Sequence, residues 1–280
     1  MKRAFAFWIP FGDLMHQEQA PGGAIWAKGC GCADWWINRA KIFKEFTQKS
    51  LLNMKLPNAE VFIVIGLPWE VFDLSLPVRE ALSTFYSPSI KLKVILSISP
   101  ATDTLNRGQS PTLDAVRRVF SSTDADTVTF IHLDSDDMYA SSALADIVDH
   151  PSKPGLTLSF RTGFLFDANS QKLFEYDPKL CPPPFFARNY SRSWLDHLKL
   201  AEQVSGFLSF HHELLKKSHE LLSLPDGKFC VVVHGGNTSS TMQNPAIQSK
   251  LINEIKEEHT RRNILRTFGY ELIAKDTANA

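Results

Sequence analysis

The sequence predicts an α/β protein in which a mainly parallel central sheet is flanked by helices. Three observations carry this expectation. Over residues 1–150, short apolar runs alternate with longer stretches of helical periodicity, the pattern of parallel strands covered by helices. The chain has 280 residues, 44% of them hydrophobic, enough for a sizeable core. No internal repeat, low-complexity segment or clear Gly/Pro/Ser linker divides it, so one domain over 1–280 is expected, with halves at 1–150 and 151–240 and a terminal helix in 241–280.

Taken in order, residues 3–9 are apolar and aromatic and stop at Pro10, Phe11, Gly12 and Asp13, which reads as a buried strand. Residues 14–33 are irregular and rich in Gly and Gln, a loop long enough to be functional. Residues 34–53 place Trp36, Ile37, Phe43, Phe46 and Leu51 at amphipathic helix spacing, with Asp34 as N-cap. Strands follow at 60–66, 91–98 and 127–133, with helices at 77–86, 112–122 and 140–148. Pro111 opens the second of these helices at a position where proline is tolerated. Beyond residue 150 the pattern changes. Strands are expected at 156–160, 163–166 and 172–176, and a proline-stiffened loop at 181–186. Helices are expected at 194–203 and 211–222, a last buried strand at 229–233, and one charged helix over 245–267.

Composition excludes several classes. Thirty Lys and Arg balance thirty Asp and Glu, so a strongly basic nucleic-acid footprint is disfavoured. Twenty Phe and six Trp speak against an extensive disordered segment. No apolar run approaches the ~20 residues that span a bilayer. Lys250, Lys256, Arg261, Arg262 and Arg266 offer a contact for anionic lipid, but Glu254, Glu257 and Glu258 lie among them, and a solvated helix is the better reading. The N-terminal run imitates a short signal peptide, yet it contains Pro10 and lacks a clean cleavage site; it reads as a strand, and the cytoplasm as the default compartment. Cys30 and Cys32 form C-x-C rather than a C-x₂-C zinc half-site. With Cys181 and Cys230 they read as reduced thiols.

The feature that carries chemistry is Asp134, Ser135, Asp136 and Asp137, directly after the strand that ends at Leu133. Three carboxylates this close repel one another and are tolerable where a divalent cation sits among them. They also follow a strand of the inferred parallel sheet, at the edge where open α/β folds bind ligands. A solvated acidic turn or a helix N-cap is the plain alternative. His234 follows the last strand beside Gly235 and Gly236 and is a candidate third ligand. Oxygen ligands with one imidazole suit Mn²⁺ or Mg²⁺ better than structural zinc. Arg107, in the loop after the third strand, offers a partner for a phosphate or for the acidic run. Phe185, Phe186, Tyr190 and Trp194 suit either sugar stacking or the core, and the core is favoured.

With these residues in place, the chain resembles the GT-A glycosyltransferases, and among them the rhamnosyl transferase family. The matching stretches are Trp36 to Phe46, Ile131 to Asp137 and Val233 to Thr238, within a likeness over residues 3–240. The first strand departs from the expected Arg-Phe-Asn-like turn with Ile9, Pro10, Phe11, Gly12 and Asp13. The resemblance implies a GT-A-like fold whose 1–150 half binds a nucleotide-sugar donor and whose 151–240 half binds a carbohydrate acceptor. It implies a metal held by Asp134, Asp136 and His234, with Asp134 also a ribose contact and Asp137 a metal or sugar contact. Arg107 or Arg39 would neutralise the diphosphate, a role that a Lewis-acid cation shares. An inverting enzyme would need a base near the acceptor hydroxyl, for which Asp196 and His197 are the candidates, with Glu175 and Asp177 as rivals. A haloacid-dehalogenase-type hydrolase places its D-x-D after the first strand rather than the fourth, and a nucleotidyltransferase carries a Gly-rich, Arg-containing turn that is missing here. The competing class outside catalysis is a calcium-dependent carbohydrate-binding or scaffold protein.

Overall fold

The computed structural model describes residues 1–11, 32–99, 111–178, 185–197, 221–235 and 242–272. Strand β1 (Arg3–Pro10) is the pivot of the fold. Its side chains alternate between two cores. Phe5, Phe7 and Ile9 enter one apolar cluster, while Ala4, Ala6 and Trp8 enter another on the opposite face. A strand buried on both faces needs an unbroken apolar run rather than an alternating one, and that is what residues 4–9 supply.

The elements then follow in order. Helices α1 (Ala33–Glu45) and α2 (Thr47–Leu52) precede β2 (Val61–Pro68). Short 3₁₀ turns, α3 (Leu76–Ala81) and β3 (Leu92–Ser99) come next. After α4 (Pro111–Ser121) come β4 (Thr127–His132), the two-residue β5 (Met138–Tyr139) and α5 (Ala143–Val148). The later half holds β6 (Thr157–Phe160), β7 (Gly163–Asp167), β8 (Lys172–Tyr176), β9 (Phe186–Ser191) and α6 (Arg192–His197). It closes with β10 (Leu221–Leu224), β11 (Phe229–Val233), α7 (Pro245–Gln248), β12 (Leu251–Glu254) and α8 (Glu258–Thr267).

Seven strands form the first sheet in the order β10-β6-β9-β4-β1-β2-β3, and five form the second in the order β12-β8-β7-β11-β5. The α/β class stands, but the expectation of a mainly parallel sheet is corrected. The β1, β2, β3 and β4 block is parallel, while β9 runs antiparallel to both β4 and β6. In the second sheet only β7 and β11 are parallel. An apolar run fixes that a strand is buried but not its direction, and antiparallel pairing needs no crossover connection.

Five further expectations about elements are also corrected. The expected 34–53 helix is two helices broken at Phe46 (φ −112, ψ −74). There the Phe46 ring stacks on Tyr270 at 5.2 Å. The N-cap of α1 is Cys32, and Asp34 lies in the first turn, where the helix dipole still favours a carboxylate. Strand β9 was not expected, because Arg188 and Asn189 interrupt its apolar run although both are buried. Of the expected helix 211–222, Leu221 and Leu222 belong instead to strand β10, paired with β6, and residues 211–220 lie outside the described part. The single C-terminal helix becomes α7, β12 and α8, because β8 has an open edge that residues 251–254 fill, a tertiary contact overriding local propensity.

The acidic run bridges the two sheets. It leaves β4 in the first sheet at His132 and enters β5 in the second at Met138. Cys32 is exposed and Cys230 is buried, whereas Cys30 and Cys181 lie outside the described residues. Among the described residues no helix is long and apolar enough to cross a membrane.

Candidate functional site

The chain passes from β1 to β2 and β3 on one side, then returns to place β4 on the other side of β1. The strand order therefore reverses between β1 and β4. Open α/β sheets bind ligands in the crevice at such a switch point, outside the carboxyl ends of the strands. Asp134, Ser135, Asp136 and Asp137 lie at that end of β4, and Leu133 N–H still donates to the Trp8 carbonyl of β1 at 3.1 Å. Gly66 at the same end of β2 admits the Trp8 ring, which would lie 2.4 Å from any Cβ there.

Asp136 is the centre of the cluster. Arg39 of α1 grips it with a two-toothed fork, Nη1 to Oδ2 and Nη2 to Oδ1, both at 3.0 Å. The same guanidinium donates through Nε to Ser135 Oγ at 2.8 Å. His234, one residue past β11, places Nε2 3.1 Å from Asp136 Oδ2. Burial opposes ionisation of Asp136, but the Arg39 guanidinium and His234 outweigh it and hold the carboxyl below its ordinary range. An ionised carboxylate only accepts hydrogen bonds, so His234 carries its proton on Nε2 in this contact.

Asp137 behaves oppositely. Burial, then the neighbouring charges of Asp136 and Asp134, push its carboxyl well above the usual range, against the pull of Val232 N–H and Arg39. Val232 N–H donates to Asp137 Oδ1 at 2.9 Å and ties the acidic run to β11. Asp134 is different again: its side chain is 47% exposed and its Oδ1 lies 3.7 Å from His132 Nε2. The three acids thus sit in three settings: Asp136 in an ion pair, Asp137 buried with its carboxyl pushed up, and Asp134 about half exposed.

Several residues that sequence reasoning missed hold the loop in place. Thr47 Oγ1 opens α2 and donates to the Asp137 carbonyl at 2.9 Å. Tyr139 N–H donates to Ser50 Oγ at 3.1 Å, and Tyr139 Oη donates to the His132 carbonyl at 2.9 Å. Thr47 and Ser50 are fully buried. Of the buried residues of α2 only Leu51 is apolar, and buried hydroxyls each need a partner.

The structure brings Arg39, Asp134, Asp136, Asp137 and His234 together. Arg107 lies outside the described residues. The backbone of Asp196 and His197 lies in α6, while their side chains lie outside the described part. That helix follows Ser191, which pairs with Thr127 at the start of β4; Arg192 anchors it there through the carbonyls of Phe120, Thr123 and Ala125. The helix therefore begins at the end of the sheet opposite Asp134. Of the rivals, Glu175 accepts from Asn253 Nδ2 at 2.7 Å, in an exposed contact between β8 and β12. Among the described residues no group of three His, Cys, Asp or Glu side chains is spaced to hold a metal.

No protein-family model and no curated protein matches the chain. Among solved structures it is similar to a "putative nucleotide-diphospho-sugar transferase" from Desulfovibrio desulfuricans G20, over 96% of this chain and 99% of that one, with a TM-score of 0.38 and 12% identity. A likeness of that size identifies neither a fold family nor an activity.

Proposed function

We propose that the chain is a metal-dependent glycosyltransferase that moves a sugar from a nucleotide-diphosphate donor to an acceptor hydroxyl. The observation that carries this reading is the position of Asp134 and Asp136 at the switch point between β1 and β4. A nucleotide in that crevice would present its diphosphate to the acidic loop, and anions alone would be repelled there. A divalent cation resolves the conflict. Mg²⁺ and Mn²⁺ suit oxygen ligands, and Mg²⁺ uses one or two carboxylates with substrate phosphates rather than an all-protein cage. Asp134 and Asp136 fit that demand, and the absence of a three-residue group among the described residues does not conflict with it.

When bound, the cation would supply charge stabilisation for the departing nucleoside diphosphate. Arg39 favours the ionised form of Asp136 and fixes its carboxylate through both oxygens. It also brings a second positive charge to the place where the leaving group's charge develops. His234 buttresses Asp136 from β11 and reaches the same oxygen as Arg39 Nη1. Calcium-dependent sugar binding is less well supported, because Ca²⁺ takes six to eight oxygen ligands and no group of three metal-binding side chains is found among the described residues.

Thermal stability measured with UDP, GDP, CDP, dTDP and ADP, each with and without Mn²⁺, tests this reading. One nucleotide is expected to raise the melting temperature only when Mn²⁺ is present, since a ligand that binds the folded state stabilises it by mass action. A shift with Ca²⁺ alone and none with any nucleotide would move the assignment to a binding module.

A further inference from the structure

The β6–β9 face of the first sheet carries a second polar cluster that the acidic site does not use. Arg188 on β9 is 8% exposed, and its Nε is buried with no hydrogen-bond partner among the described residues. Among the described residues no ion pair satisfies its guanidinium; its carbon stands 6.0 Å from the Tyr190 ring centroid. The surroundings are apolar: Phe130, Phe186 and Tyr190 belong to one buried cluster, with Leu195 packed against it.

Two hydroxyls share this face. Thr157 pairs directly with Arg188 across the β6–β9 ladder, and Ser159 pairs with Phe186, two residues along β9. Residues directly opposite in a ladder project to the same side of the sheet, as do residues two apart along a strand. Thr157 Oγ1 and Ser159 Oγ are both buried and, like Arg188 Nε, without a hydrogen-bond partner among the described residues. Phe186, two residues from Arg188 toward the acidic end of β4, stacks its ring on His132 at 5.5 Å with no tilt.

A guanidinium cannot discard its proton, and an apolar setting makes an uncompensated charge unfavourable. The guanidinium only donates, each hydroxyl can donate one proton, and among the described residues no carboxylate faces them. We propose that Arg188, Thr157 and Ser159 form a receptor for an oxyanion, a carboxylate or a phosphate group, separate from the acidic site. The planar fork of Arg188 matches two oxygens of either group, and the hydroxyls donate to the remaining lone pairs. The proposal does not depend on the glycosyltransferase reading.

The test uses the full chain in low-salt Tris buffer, titrated with inorganic phosphate and, separately, with malonate. One anion or both is expected to raise the melting temperature of the wild type, and the more effective one identifies the group. Arg188→Met is expected to melt higher than wild type without added anion, because it removes an unpaired buried charge, and to show no response to either anion. Calorimetry on Thr157→Val and Ser159→Ala, which keep the charge, is expected to show binding weakened about tenfold, the worth of a hydrogen bond to a charged group. This second arm decides the matter if Arg188→Met does not fold. Neither anion shifting the wild type, Arg188→Met responding as wild type does, or the hydroxyl variants binding with unchanged affinity would overturn the proposal.

Discussion

Asp136 holds the two sides of the site together, and its replacement separates two effects. Asp136→Ala strands the Arg39 fork and the His234 imidazole in a setting where Asp136 and Arg39 are only 10% and 17% exposed. Breaking one partner of a buried pair destabilises by about 3–5 kcal/mol, so loss of activity in this variant would not by itself identify a ligand. Asp136→Asn keeps the shape and one acceptor for Arg39, and urea unfolding is expected to show a smaller loss than for alanine. Equal stability of the alanine variant and wild type would mean that Arg39 does not depend on Asp136. Thr47→Val leaves the Asp137 carbonyl without its hydroxyl donor, an expected loss of about 1–2 kcal/mol in the same assay. Much of this site was readable beforehand. The acidic run stood out because carboxylates so close together need a reason, and His234 because it ends an apolar strand. Arg39 drew attention only through the family resemblance, and as a phosphate ligand. Its partnership with Asp136 spans 97 residues, and that of Thr47 with the Asp137 backbone spans 90; no local pattern encodes either.

At the scale of elements, α8 shows how a terminus is fixed by a short signal. Gly269 adopts φ +75 directly after the C-cap Phe268. Tyr270 N–H reaches back to the Leu265 carbonyl at 3.1 Å and Gly269 N–H to that of Arg266 at 3.0 Å, a Schellman closure. A Cβ on Gly269 would meet the Lys49 carbonyl at 2.8 Å. Gly269→Ala is therefore expected to lower stability by at least about 1 kcal/mol in urea unfolding, with an unchanged midpoint as the contrary result. Strand β9 offers a pH test. Burial pushes the Tyr190 phenol up to about 12, against a small opposing effect of Arg188, whereas an unfolded tyrosine titrates near 10. The folded state favours the neutral phenol, so this contribution is complete below about pH 10 and is lost as pH rises toward about 12, amounting to about 2–3 kcal/mol. Tyr190→Phe should therefore cost less stability at about pH 11 than at about pH 8; an equal cost at both would contradict the buried phenol. The strands of the first half were legible because burial on both faces demands continuous apolar runs. Strand β9 was not, since a run containing Arg188 and Asn189 looks like a loop until its neighbours are known. Nor was β12, whose identity depends on the open edge of β8.

For the whole molecule, two mixed sheets meet at the acidic loop. The first delivers Asp134 and Asp136 to a switch point, and the second brings His234 against Asp136 and the Val232 N–H against Asp137. The α/β class was legible from the strand and helix alternation, but strand direction was not, because a hydrophobic pattern does not distinguish a crossover from a direct return. The central claim is that this junction binds a nucleoside diphosphate through a cation held by Asp134 and Asp136. Its most direct test is Mn²⁺ binding followed by electron paramagnetic resonance, using whichever of the five nucleoside diphosphates most stabilises the wild type. Wild type is expected to take up Mn²⁺ with that nucleotide far more tightly than without it, and Asp136→Asn, shown to be folded, is expected to lose that uptake. Nucleotide binding that proceeds equally well without Mn²⁺, or Mn²⁺ uptake unchanged in Asp136→Asn, would contradict the account.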